Sequence, residues 1–169
     1  QPQPAFPVHG FLRPGYRGGR VEGQGGRFQR IQPAQQGARG SGAIQPGDSY
    51  YNQEDLFWLS RIIDAESGNQ PLEGKMAVAI VVMNRVASPI YPDTVEGVLA
   101  QKNQFSTYRS GKLADRTPNA SSVIAAKLVL DGGVVEEVAE ALYFDSSSSS
   151  WAARNRECVA IIGGHRFYN

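Results

Sequence analysis

The 169-residue chain has one cysteine, Cys158, and two histidines, His9 and His165. A single cysteine excludes an internal disulfide. So few sulfur and imidazole ligands, with His9 far from the other two, cannot build a zinc site, which needs three or four; no metal or other cofactor is expected. The net charge is +1, which gives no electrostatic warrant for nucleic-acid binding. No apolar run approaches the roughly 18 residues of a membrane span. The chain also has no G-x-S-x-G, phosphate loop or dinucleotide fingerprint. No initiator Met and no basic-then-apolar leader is visible, so no signal peptide is read, and a start at Gln1 suits a processed or trimmed product. Cys158 and His165, seven residues apart on adjacent strand-like segments, are a poor basis for a thiol nucleophile. Inside "CVAII", Cys158 reads as a small buried hydrophobe.

What is present divides the chain in two. Residues 1–50 hold 11 Gly, 6 Pro, 8 Gln and 6 Arg, with Glu22 and Asp48 as their acids, a net charge of +4 that leaves −3 for the remainder. Their apolar residues follow no period of 2 or 3.6, so the segment cannot bury enough surface to offset the entropy of ordering. It reads as an extended N-terminal arm or linker. Its spaced aromatics and arginines suit an arm laid along another protein or a neighbouring subunit.

Residues 51–169 read as a folded domain. Asn52 can cap a helix carrying Leu56, Leu59, Ile62, Ile63 and Glu66 at helical spacing, with Gly68 as its stop. Pro71 stands at the first position of a second helix running to about Val86. Thr94 can cap a short helix over "VEGVLA". The polar stretch 101–116 reads as loop, and Thr117-Pro118 opens a helix that "DGG" ends. "EALYF" and "VAIIGGHRFY" read as two short antiparallel strands, joined by a mobile serine loop, "DSSSSSW". The expected fold class is α+β, mostly helical with a small antiparallel β element.

Two polar residues interrupt apolar helices. Glu66 follows Ile62 by four and Ile63 by three, which places it on the core face in the last helical turn. Desolvation and the negative end of the helix dipole both disfavour its charged form and raise its pKa, as a general acid requires. The alternative is a rim acid paired with Arg61 or Arg85. Asn84 breaks "MAVAIVVMNRV" in the same way. It is either an orienting group near a site or an amide tying the helix to a neighbouring loop.

"AESGNQP", "EGKMAVAIVVMNRV" and "PDTVEGVL", followed in order by "QFS", "ALYF" with Trp151, and "IGGHRFYN", resemble the SleB/CwlJ family of cell wall hydrolases over about residues 54–169. The resemblance implies a lysozyme-like fold and cleavage of peptidoglycan glycan strands between N-acetylmuramic acid and N-acetylglucosamine. It further implies a lytic transglycosylase reaction with Glu66 as catalytic acid. Gln104, Phe105, Ser106, Tyr143 and Tyr168 fall in matching blocks as cleft-lining residues, and His165 as a group touching substrate or Glu66. The family's second acid in its first block is Gln70 here and its Arg is Gly68, so a two-acid mechanism loses its obvious partner. A hydrolytic outcome would draw on Glu73, Asp64, Asp93 or Glu96. No peptidoglycan-binding repeat stands before the domain, which leaves targeting to the arm or to something else. The expected setting is the cell envelope or, for a delivery protein that keeps the fold with or without the chemistry, a phage virion.

Overall fold

The computed structural model describes residues 50–169. The expected arm, Tyr50 apart, lies outside the described residues. The order is α1 (Gln53–Ser67), α2 (Leu72–Ala87), α3 (Val95–Leu99), α4 (Ser106–Arg109), α5 (Ala120–Leu130), a 3-10 turn (Glu136–Val138), β1 (Tyr143–Asp145), α6 (Trp151–Asn155), β2 (Cys158–Ile162) and β3 (His165–Tyr168). This is the mostly helical α+β arrangement that the periodicities imply.

Local chemistry explains the helix starts. The Asn52 side chain accepts from the Asp55 N–H, that of Thr94 from the Gly97 N–H and that of Asn119 from the Ser122 N–H, each satisfying a donor that the helix cannot. Pro71 is the cap of α2 rather than its first residue, with φ −57° and ψ 159°. The fifth helix begins two residues beyond Pro118, because the Asn119 side chain caps it. Gly68 ends α1 without turning left-handed, at φ −56°. Its lack of a side chain still matters, since a Cβ there would lie 2.5 Å from the Asp64 carbonyl oxygen.

Helices α1, α2 and α5 pack on one another and form the core. Leu56, Leu59, Ile62 and Ile63 meet Ala77, Val78, Val81, Val82 and Val86, with Ala125, Ala126 and Phe167 closing the cluster. These are the positions that recur every three to four residues, and removing their surface from water is the main stabilising term.

The sheet has three antiparallel strands in the order β1-β3-β2, not two. Phe144 pairs with Phe167, and Ile162 with His165 across the Gly163-Gly164 turn. Gly163 carries that turn at φ +56°. Cys158 is exposed on the edge strand rather than buried in the core. The serine stretch is built rather than loose. Asp145 Oδ1 accepts from the Ser147 N–H at 3.0 Å and its Oδ2 from Ser150 Oγ at 2.6 Å. Ser150 in turn caps α6 by accepting from the Ala153 N–H at 3.0 Å. An acid at the strand end thus organises the loop that follows it. The polar stretch 101–116 likewise contains a helical turn, α4. Among the described residues no helix is long and apolar enough to cross a membrane.

Candidate active site

Glu66 sits in the last turn of α1, partly buried. Among the described residues its carboxyl makes neither a hydrogen bond nor an ion pair. Burial raises its pKa above the ordinary glutamate value, and the positive charge of Arg116 opposes that shift. Neither arginine considered as its partner from sequence reaches it. Arg61 stacks on Phe57 at 3.6 Å and donates to the Phe57 carbonyl at 3.1 Å. Arg85 donates to the Leu142 carbonyl and to Gln104 Oε1, at 2.8 and 2.9 Å.

Two residues earlier, Asp64 has the opposite environment. Desolvation acts to raise its pKa. Hydrogen bonds from the Asn119 N–H (2.9 Å), Arg116 Nε (2.7 Å) and Ser122 Oγ (2.9 Å), with the Arg116 charge, outweigh it and hold the pKa below the usual aspartate range. Arg116 also donates to the Asp64 backbone carbonyl at 3.2 Å, and Asn119 Nδ2 to the Gly68 carbonyl at 3.0 Å. The last turn of α1, which carries Glu66, is therefore fastened to the loop before α5. The two neighbouring acids are thus pushed in opposite directions, Glu66 toward its neutral form and Asp64 toward its carboxylate. Lys75 completes this partly buried network, donating to Ser121 Oγ and, at 3.4 Å, to Asn119 Oδ1.

Gln70 latches the loop after Glu66 to the sheet. Its Oε1 accepts from the Gly164 N–H at 2.9 Å, and its Nε2 donates to Asn69 Oδ1 at 3.1 Å. A neutral amide fills this role without a second carboxylate.

The remaining candidates fall into two groups. Gln104 and Tyr143 line one cavity of about 720 Å³ together with Arg85, Tyr91, Phe144 and Trp151. Phe105 and His165 both lean on Phe144, with ring centroids 6.3 and 5.6 Å away, and His165 also contacts Phe167 at 6.3 Å. Phe105 is held at φ 32°, a strained conformation for an aromatic residue of the kind that clusters at functional sites. His165 is buried, and its Nδ1 finds no partner among the described residues. Desolvation lowers its pKa against the pull of Asp145, which favours the neutral imidazole. Ser106 is exposed at the start of α4. Asn84 donates to the Ala139 and Ala141 carbonyls at 3.0 and 2.9 Å, so both its N–H bonds serve the fold. Tyr168 is 1% exposed, and its hydroxyl reaches Asp145 Oδ1 and the Ser147 carbonyl at 3.4 and 3.3 Å.

Arg116 escapes sequence reasoning, because it lies in a polar loop with no period to show what it faces. The four acids weighed as a second carboxylate also differ in situation. Asp64 is fully engaged, Glu96 accepts from the Tyr108 hydroxyl at 2.9 Å, and Glu73 and Asp93 are exposed. Among the described residues no group of three or more His, Cys, Asp and Glu side chains could hold a metal ion.

The mostly helical α+β domain thus holds Glu66, partly buried and without a hydrogen-bonding or ion-pair partner among the described residues, at the end of its first helix. The Cell Wall Hydrolase family model matches residues 69–168, and the chain belongs to that family. The matched range begins three residues after Glu66. The spore cortex-lytic enzyme of Bacillus cereus is 34% identical over 121 residues, covering 69% of this chain and 45% of that protein. The spore cortex-lytic enzyme of Bacillus subtilis is 30% identical over 128 residues, covering 74% and 40%. The chain thus spans less than half the length of these curated relatives. Two solved structures each match with TM-score 0.62 and 30% identity: the catalytic domain of the Bacillus cereus SleB protein, covering 70% of this chain and 92% of that one, and the catalytic domain of the germination-specific lytic transglycosylase SleB from Bacillus anthracis, covering 75% and 100%.

Proposed function

We propose that this chain cleaves peptidoglycan glycan strands between N-acetylmuramic acid and N-acetylglucosamine as a lytic transglycosylase, with Glu66 as its single acid and base. The observation that carries the reading is the state of Glu66: desolvated, raised in pKa, and unclaimed by any partner among the described residues. The protonated carboxyl gives its proton to the glycosidic oxygen as the bond to C1 of the muramic ring breaks. The resulting carboxylate then takes the proton of the C6 hydroxyl while that oxygen bonds to C1, closing a 1,6-anhydro ring and restoring the acid. No nucleophilic carboxylate and no activated water enter this sequence. The neutral Gln70 and the fully engaged Asp64 are consistent with it. Membership of a cell wall hydrolase family supports the substrate class, and the name of the Bacillus anthracis relative supports the transglycosylase outcome.

Gln104, Phe105, Ser106, Tyr143 and His165 are assigned to substrate contact, and Asn84 and Tyr168 to positioning the backbone around it. The protein acts outside the cytoplasm, on the wall, and the basic segment 1–50 serves targeting beside the catalytic domain 51–169. Digestion of purified sacculi followed by mass spectrometry of the fragments tests the reading. Anhydro-ended muropeptides, absent with Glu66→Gln, are the expected result. Reducing ends would indicate hydrolysis, and undigested sacculi would remove the assignment.

A further inference from the structure

The geometry points to a carboxylate-binding subsite at the C-terminal end of α2, centred on Arg85, that takes the acidic substituent of a muramic residue. The inference rests on the proposed action on peptidoglycan and assigns the group that distinguishes its two sugars.

Arg85 is 4% exposed, so its guanidinium is almost wholly removed from water. Its protein partners are neutral: the Leu142 carbonyl oxygen on Nε and Gln104 Oε1 on Nη1. The faces of Tyr91, Phe105 and Tyr143 lie 5.4, 5.8 and 5.7 Å from its central carbon. Among the described residues no carboxylate pairs with it. A buried cation with neutral partners alone is costly, and ring faces offset only part of that cost. An anion arriving from outside would complete the balance.

Arg85 is among the residues lining the cavity of about 720 Å³, which is large enough for a sugar ring with a substituent. Beside it stand Tyr143 and Trp151, with centroids 5.7 Å apart, and Trp151 is 53% exposed. Arg156 lies 5.2 Å from each of these rings and adds a second positive charge. Aromatic faces suit a pyranose, and an arginine fork suits a carboxylate. The one acid on the cavity wall, Asp145, is held by the Ser147 N–H, the Ser150 hydroxyl and the Tyr168 hydroxyl, and makes no contact with Arg85. The carboxylate is either the lactyl group of a muramic residue that carries no peptide or, where an amide bond occupies that group, a terminus of the stem peptide, and the two sources are separable.

The test is NMR titration of the full chain, following the Arg85 Nε–H and the Trp151 indole N–H. The ligands are N-acetylmuramic acid, its lactyl methylamide, muramyl dipeptide and N-acetylglucosamine. N-acetylmuramic acid is expected to bind about tenfold more tightly than its methylamide or N-acetylglucosamine, as loss of a charge-assisted hydrogen bond predicts. If muramyl dipeptide instead shows the preference, the peptide carboxylate is the one read. Trp151→Ala, an exposed position that leaves the core intact, is expected to weaken the preferred ligand by a similar factor. Arg85→Met should erase the preference for the acid, and Gln104→Ala covers the case in which that variant does not fold. Equal affinity for all four ligands, or binding indifferent to Trp151→Ala, would overturn the subsite while leaving glycan cleavage standing. Sacculi left intact in the digestion experiment would remove the cleavage reading without touching the titration.

Discussion

Glu66 is defined by an environment that penalises its charge. Ionisation of a carboxyl with a raised folded pKa is less favourable in the folded chain than in the unfolded one. The resulting cost to stability is absent below the ordinary value of 4.5 and grows as pH rises through the raised value. Glu66→Gln is therefore expected to raise the melting temperature at pH 7 and to leave it unchanged near pH 4, which calorimetry at the two pH values checks. The same substitution is expected to lower glycan cleavage by roughly a hundredfold or more, the usual contribution of a positioned acid. In the parent chain, activity should decline as pH rises through the Glu66 pKa, because the protonated form is lost; a flat pH–rate profile from mildly acid to neutral conditions would contradict the assignment. Asp64, two residues away, has the reverse sign. Its lowered pKa gives stability that is present above about 3.8 and lost as pH falls through the folded value.

At the scale of elements, the site depends on two fastenings of the α1–α2 connection. The first is the Asp64 network. Asp64→Ala would leave the Asn119 N–H, the Ser122 hydroxyl and part of Arg116 without an acceptor, at about 3 kcal/mol in total. Urea unfolding would register this as a lower midpoint at unchanged slope. The second fastening is Gln70 against the β2–β3 turn. A Cβ on Gly163 would collide with the Gln70 amide, and its φ of +56° disfavours any side chain. Gly163→Ala is expected to destabilise by about 1–3 kcal/mol and to free the Gly164 N–H, visible as faster amide exchange at that residue. Much of this level was legible beforehand. Asn52, Thr94 and Pro71 marked their helix starts because capping is local chemistry. The α6 turn and the ordered serines were not legible, because Asp145 holds them through side-chain bonds that composition does not reveal.

For the whole molecule, the hydrophobic core among the described residues runs from Leu56 to Tyr168, and Tyr51 anchors its end by a hydrogen bond to Asp131 at 2.9 Å. A chain of residues 50–169 is expected to keep its melting temperature within about 2 °C of the full chain. Any loss in sacculus binding would then belong to the basic segment 1–50. The amino-acid sequence by itself determined the helical core, because period and caps are properties of neighbouring residues. It also singled out Glu66, because an acid on an apolar stripe is visible as a break in pattern. The partners of each polar group were decided only by the tertiary structure. Asp64 with Arg116, Gln70 with Gly164 and Arg85 with Gln104 are separated by 52, 94 and 19 residues. Hydrogen bonds and burial depend on distance in space, and packing, not spacing along the chain, sets that distance.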